Sequence, residues 1–153
     1  MITKTIKGNL ITMALNGEFD VIMHGCNCFN TMGAGIAKEI KQRIPIAYEV
    51  DCATEKGSYF KLGDYSLAFF HPKPTMTLEI INAYIQYTYW EKSPIEYSAV
   101  KDVFIKLNKQ YTPSTKFGIP KIGGGLAGGD WEIISKIINT VTPDINITLV
   151  EYE

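Results

Sequence analysis

Long apolar segments, an export signal and a full set of paired cysteines are all missing from this 153-residue chain. No apolar run approaches the roughly 20 residues that a membrane-spanning helix needs, so a membrane partner is not expected. The first residues lack the apolar centre of a signal peptide, which makes the cytoplasm the expected compartment. Three cysteines, Cys26, Cys28 and Cys52, are an odd number, which argues against a disulfide framework.

Positive charge is scarce as well, since 15 Lys and Arg stand against 16 Asp and Glu for a net charge of −1. Proteins that grip a nucleic-acid backbone usually carry a basic surface, so sequence-independent nucleic-acid binding is not expected. Cys26, Cys28 and His24 match none of the common zinc spacings, so neither a metal site nor a cofactor is expected. An anionic ligand of this chain must therefore be held mainly by backbone N–H groups.

Glycine is concentrated at two places that each follow a predicted strand. Residues 123–130 read GGGLAGGD, with five glycines within seven residues, and residues 32–37 read MGAGIA. Such clusters cost conformational entropy on folding, so a plain connection rarely needs them. A strand that ends in glycines and leads into a helix brings N–H groups close to an anion. The two turns together predict one ligand with a long phosphate bridge, held from two sides.

Neither glycine cluster matches the best-known nucleotide motifs. The Gly-Lys-Ser/Thr ending of a Walker loop is absent from both. Gly123, Gly125 and Gly128 have the spacing of a dinucleotide fingerprint, but no βαβ unit with a ribose-binding acid follows them.

Hydrophobic periodicity predicts strands that alternate with helices in a single domain over residues 1–153. Predicted strands cover residues 3–7, 21–24, 65–70, 79–87, 118–122 and 145–152, and predicted helices cover residues 34–43, 46–55, 94–111 and 131–141. This order predicts a mixed sheet with helices on both faces. Ligands of such folds bind outside the carboxyl ends of the strands, where both glycine turns are expected.

Several polar residues flank the two turns, and each has two interpretations. Asn27 and Asn30 either shape the turn or face the ligand, where an amide can orient a ribose hydroxyl or a water. His24 either satisfies a backbone carbonyl or accepts a proton near neutral pH. Asp130 either caps the helix that starts at Trp131 or supplies a catalytic carboxylate.

The run from His24 to Ala37, with residues 8–10 before it and residues 120–131 after it, resembles the macro domains. The likeness is greatest to the small single-domain branch that includes an ADP-ribose 1''-phosphate phosphatase and the terminal ADP-ribose hydrolases. It implies a three-layer α/β/α fold with a mixed, mostly parallel central sheet. It also implies ADP-ribose, or a derivative carried on a macromolecule, as the ligand.

The resemblance also assigns roles to residues of this chain. Asn9 falls where many members carry an Asp that reads the adenine amino group, and Asn27 matches the Asn at the distal ribose that several branches need for turnover. The loops would wrap the diphosphate and the distal ribose. The implied ligand-binding residues are Asn9, Leu10, Gly33, Ala34, Gly35, Ile36, Gly123, Gly124, Gly125, Leu126, Ala127 and Gly128, and the candidate catalytic residues are Asn27, His24 and Asp130.

Two departures from the family pattern bear on the expected reaction. Ala127 stands where the terminal ADP-ribose hydrolases place a catalytic Asp, and Phe69 falls near their essential Lys. The expected activity is therefore metal-free hydrolysis of ADP-ribose 1''-phosphate, with loop N–H groups stabilising the leaving phosphate. The alternatives are removal of ADP-ribose from a protein or nucleic-acid acceptor, and ADP-ribose binding without turnover.

Overall fold

The computed structural model describes residues 1–92, 94–124 and 127–152. The strands are β1 (Ile2–Gly8), β2 (Val21–Cys26), β3 (Tyr65–Phe70), β4 (Leu78–Tyr84), β5 (Phe117–Ile119) and β6 (Ile147–Tyr152). The helices are α1 (Leu10–Leu15), α2 (Gly35–Arg43), α3 (Pro45–Cys52), α4 (Tyr97–Gln110) and α5 (Trp131–Val141), and a 3₁₀ turn covers Tyr59–Lys61. Pro45 occupies the first turn of α3, which limits α2 to the residues before it.

The six strands form one mixed sheet in the order β1-β6-β5-β2-β4-β3. All neighbouring strands run parallel except the hairpin pair β3 and β4. Parallel strands end at the same edge of a sheet, so the carboxyl ends of β2, β4, β5 and β6 lie together. The predicted mixed, mostly parallel sheet is confirmed.

A layer of helices packs against each face of the sheet, and apolar residues fill the space between them. Alternating residues of β2 point to opposite faces, because successive side chains of a strand alternate. Val21 and Met23 belong to the core formed with α4 and α5, whereas Ile22 belongs to the core formed with α1, α2 and α3. The result is the predicted three-layer α/β/α arrangement. Within the described residues, no helix is both long and apolar enough to cross a bilayer.

Candidate ligand-binding site

Two adjoining cavities open at the carboxyl edge of the parallel strands. The larger cavity, of about 650 Å³, lies between the end of β2, the start of α2 and the loop that follows β5. The smaller cavity, of about 520 Å³, lies between the start of α1 and the end of β6. Both cavities share four lining residues, which are Gly35, Ile36, Pro120 and Lys121. The two cavities therefore meet along the first turn of α2 and can accept one extended ligand.

The start of α2 presents its backbone to this shared wall. Gly33, Ala34, Gly35 and Ile36 all line the larger cavity. Ala34 is the extended N-cap residue and offers no side-chain oxygen to the first N–H groups of the helix. Those N–H groups have no acceptor within the helix, and they lie at its positive end. The turn is therefore suited to an anionic group.

Backbone conformation explains one of the two glycines of this turn. Gly35 has a φ of +57°, which ordinary residues rarely adopt. A methyl group added at Gly33 would meet no atom within 4 Å. The packing of the protein does not require glycine at position 33, and the space beside it is open.

The loop after β5 forms the opposite wall of the larger cavity. Gly123, Gly124 and Ala127 line the cavity, and Gly123 has a φ of +72°. The N–H of Gly129 donates to the carbonyl of Gly123 at 2.7 Å, and a Cβ at Gly129 would lie 2.4 Å from that oxygen. Packing within the loop thus explains Gly129.

Three other loop positions were predicted to contact the ligand. Gly128 has a φ of +69°, is exposed, and is not among the described lining residues of either cavity. Gly125 and Leu126 lie outside the described residues. Their predicted contacts with a ligand therefore stay predictions.

Asn9 and Leu10 line the smaller cavity, and Asn9 also starts a helix. The Oδ1 of Asn9 accepts a hydrogen bond from the N–H of Thr12 at 3.0 Å, which caps α1. Its Nδ2 donates to Oε1 of Glu39 at 3.4 Å. The acceptor oxygen that the resemblance assigns to ligand recognition is thus already engaged in a helix cap.

Asn27 lines the larger cavity just past the end of β2. Its Oδ1 accepts from the N–H of Phe29 at 2.8 Å, and its Nδ2 donates to Oγ1 of Thr31 at 2.7 Å. These bonds fix the amide at the cavity wall. Asn27 therefore shapes the turn and also faces the ligand space, so both sequence interpretations apply to it.

The structure does not bring His24 to either cavity. His24 is fully buried, and its Nε2 lies 2.6 Å from Oδ1 of Asn82. Burial is the main cause that lowers the pKa of His24 to about 4. Because Asn82 presents its oxygen, Nε2 carries the ring proton. His24 is consequently a neutral hydrogen-bonded core residue, and the geometry supports a structural role for it rather than that of a base.

Asp130 also lies away from the cavities and acts as a helix cap. Its Oδ1 accepts from the N–H of Glu132 at 2.9 Å at the start of α5. The residue is exposed and is not among the described lining residues of either cavity. Helix capping, the first of the two interpretations of Asp130, is the one that the geometry supports.

The sequence analysis did not single out several residues of the larger cavity, and three of them come from outside the two glycine turns and the end of β2. Asp51, Gln86 and Tyr89 line the larger cavity, from α3 and from the segment after β4. Asp51 and Ala47 are the buried residues of α3, so an acid on the apolar face of a predicted helix was an available signal. Phe69 is 56% exposed on β3 and does not line the described cavity wall, whereas Gln86, two residues after the end of β4, does.

The site carries charged side chains at separate places. Lys121 lines both cavities, and its Nζ lies 3.7 Å from Oε1 of Glu151. Asp51 is the acidic side chain among the described lining residues of the larger cavity. With one lysine on the shared wall, the N–H groups of the glycine turns remain the main donors available to an anion.

Comparison with known proteins places this architecture in context. No family model matches the chain. An uncharacterised 17.5 kDa protein from the tk-vs intergenic region of Enterobacteria phage T4 is 34% identical over 162 residues, covering 100% of this chain and 98% of its own.

Solved structures share the fold at lower identity. The macrodomain of Thermus aquaticus DarG superposes with a TM-score of 0.69 at 16% identity, covering 100% of this chain and 98% of its own. Thermosipho africanus DarTG in complex with ADP-ribose gives a TM-score of 0.71 at 14% identity, covering 97% of this chain and 42% of its own. These likenesses show that the chain has the fold of the macrodomains.

Proposed function

We propose that this chain binds ADP-ribose across the two adjoining cavities and hydrolyses a group attached to its distal ribose. The observation that carries the proposal is the shared wall at the start of α2, where uncapped helix N–H groups and the open space beside Gly33 meet the glycine turn after β5. A diphosphate bridging two sugars fits this wall, because helix N-termini bind phosphate.

The two ends of the ligand then fall into different cavities. The smaller cavity, with Asn9 and Leu10, would take the adenosine. The larger cavity, with Asn27, would take the distal ribose. A structural neighbour in complex with ADP-ribose supports this ligand class. Our first candidate substrate is ADP-ribose 1''-phosphate, with the loop N–H groups stabilising the departing phosphate.

Binding without turnover is a second candidate function, and a specific observation favours it. Neither His24 nor Asp130, the two proton acceptors expected from sequence, lines the larger cavity. A site that lacked a base would still hold the ligand through its backbone donors. Affinity and turnover must therefore be measured separately.

Calorimetry with ADP-ribose and with AMP tests the binding site. AMP lacks the second phosphate and the distal ribose, so we expect ADP-ribose to bind at least about 10-fold more tightly. Equal affinities would remove the assignment of both glycine turns to the diphosphate. Release of phosphate from ADP-ribose 1''-phosphate then distinguishes an enzyme from a binding module. Binding without release from this substrate or from ADP-ribosylated acceptors would leave only the binding function.

A further inference from the structure

The larger cavity contains a carboxylate with one unpartnered oxygen. Asp51 is 1% exposed and lines the cavity together with Cys26 and Asn27. Its Oδ1 accepts a hydrogen bond from the hydroxyl of Tyr84 at 2.7 Å, whereas Oδ2 is buried and has no hydrogen-bond partner. Buried polar atoms in folded proteins are nearly always paired. Because Asp51 lines the cavity, its unpaired Oδ2 is a candidate acceptor for a donor supplied by a ligand.

A buried polar network holds this carboxylate in place. The Tyr84 hydroxyl lies 2.9 Å from Oγ of Ser66 and 3.4 Å from Oγ1 of Thr54. Thr54 in turn donates to the backbone carbonyl of Asp51 at 2.6 Å. Ser66 accepts from Nδ2 of Asn82 at 3.1 Å, which ties the network to the sheet. The position of Asp51 is thus set by neighbours that do not themselves line the described cavity wall.

A cation lies over the ring of Tyr84 and lowers the cost of the buried carboxylate. Lys61 donates through Nζ to Oδ1 of Asn30 at 2.6 Å and to the carbonyl of Cys28 at 3.1 Å. The same Nζ lies 4.6 Å from the centroid of the Tyr84 ring. Burial raises the pKa of Asp51, while the Tyr84 hydrogen bond and the positive charge of Lys61 lower it.

The chemistry of a free carboxylate oxygen limits what can bind beside it. It accepts hydrogen bonds from hydroxyl or amide donors and repels phosphate groups. The N–H groups of the α2 turn offer the opposite chemistry on the shared wall. A ligand with phosphates at that wall would therefore present its hydroxyl-bearing end to Asp51.

We propose that Asp51 is a specificity-determining residue of this site, whose Oδ2 accepts a hydrogen bond from a hydroxyl group of the ligand's distal sugar. This inference rests on the proposed function, since that function places a ribose in the larger cavity. It assigns the recognition of the sugar to a helix residue outside both glycine turns. Asp51 distinguishes ligands that carry a sugar beyond the diphosphate from nucleotides that end there.

Calorimetry on the full chain at neutral pH, with ADP-ribose and ADP, tests the assignment. ADP keeps the adenosine and both phosphates but lacks the distal ribose. We expect Asp51→Asn to weaken ADP-ribose binding about 10-fold or more, the usual size for loss of a hydrogen bond to a charged group. ADP binding should change less than about twofold. Asn retains an oxygen for Tyr84, so the network stays paired.

Asp64→Asn is the matched control variant. Asp64 is an exposed carboxylate that accepts from the N–H of Tyr65 at 2.8 Å and pairs with Lys106 at 3.6 Å, away from the described cavity lining. Its affinities for both ligands should equal those of the unmodified protein. Asp51→Ser is a second variant, and circular dichroism checks that each variant is folded.

A ligand change provides a measurement that does not depend on any variant. ADP esterified with tetrahydrofurfuryl alcohol carries the five-membered ring without hydroxyl groups. The unmodified protein should bind it about 10-fold or more weakly than ADP-ribose. Equal affinity for these two ligands would overturn the proposal, because no sugar hydroxyl would then be recognised.

The outcomes separate this inference from the proposed function. If the unmodified protein binds ADP and ADP-ribose equally, the distal ribose has no site and the proposed function fails. If it prefers ADP-ribose and the folded Asp51 variants keep that preference in full, Asp51 is only a partner of Tyr84. The inference would then be overturned while the proposed function stands.

Discussion

A single methyl group at Gly33 is expected to stabilise the fold and to weaken ligand binding. The added Cβ meets no atom of the protein within 4 Å, and the φ of Gly33 lies outside the left-handed region. Nothing in the folded chain therefore opposes alanine at this position. The same methyl would enter the open space of the larger cavity, beside the first turn of α2.

The two effects have different sizes as well as different signs. Replacing glycine by alanine at a compatible position restricts the unfolded chain and adds about 0.4–1 kcal/mol to the free energy of unfolding. That gain raises the melting temperature by roughly 1–4 °C for a chain of this size. Crowding a packed contact by a methyl group costs about 1–3 kcal/mol. The dissociation constant for ADP-ribose should therefore rise roughly 5- to 150-fold.

Thermal melting and calorimetry on Gly33→Ala measure the two quantities, and Gly35→Ala is the matched control. Gly35 also has open space around it, but its φ of +57° makes alanine strained there by about 1–2 kcal/mol. Gly35→Ala should therefore lose stability. Unchanged ADP-ribose affinity in both Gly33→Ala and Gly33→Val would refute the idea that a ligand occupies this turn. If Gly33→Ala were less stable than the unmodified protein, the open space and the ordinary φ described for Gly33 would be wrong.

Three further predictions concern the residues first suspected of catalysis. Asp130→Asn should leave the free energy of unfolding nearly unchanged, because an amide oxygen still caps α5. The rate of phosphate release should stay within about twofold, because the residue lies away from the described cavity lining. A large loss of activity would restore Asp130 as a catalytic group. Asn27→Ala should cut turnover by about 10²-fold or more. It should reduce the affinity for ADP-ribose much less, since backbone donors supply most of the binding. Equal losses of turnover and affinity would contradict a catalytic role. Urea unfolding should show stability falling as the pH drops from 6.5 towards 4, because burial lowers the pKa of His24 to about 4 and the unfolded chain then binds a proton that the native chain does not. The free energy of unfolding should fall by on the order of 3 kcal/mol over this pH range. If His24→Gln showed the same dependence of stability on pH, the loss could not be assigned to His24.

Much of the fold was readable from local signals, and the exceptions have local causes. Pro45 marked the boundary between α2 and α3, and the glycine turns marked the starts of α2 and α5. The helix α1 was not predicted, since its six residues are too few to show a helical period. Its signal was the capping residue Asn9, which the family resemblance had assigned to the ligand instead.

The backbone parts of the site were predicted, whereas the side-chain parts depended on packing. Gly33, Gly35 and Gly123 line the cavity because a glycine turn after a parallel strand must lie at the ligand edge. The sequence left two interpretations of His24 open, because only the alternation of side chains along β2 decides that it points away from the cavity, although it is three residues from Asn27. Asp51 was missed because its neighbours Tyr84 and Lys61 come from distant parts of the chain.

The position of Asp51 also bears on the choice between candidate substrates. ADP-ribose 1''-phosphate carries an additional anionic group on the sugar that we place beside Asp51, and like charges repel most strongly where water is excluded. Asp51→Asn removes that repulsion together with the hydroxyl acceptor. Its affinity for ADP-ribose 1''-phosphate relative to ADP-ribose should therefore rise, by about 10-fold if the two groups approach within a few ångströms. If the ratio of the two affinities did not change, the 1''-phosphate would point away from Asp51. The glycine turn after β5 would then be favoured as its binding site.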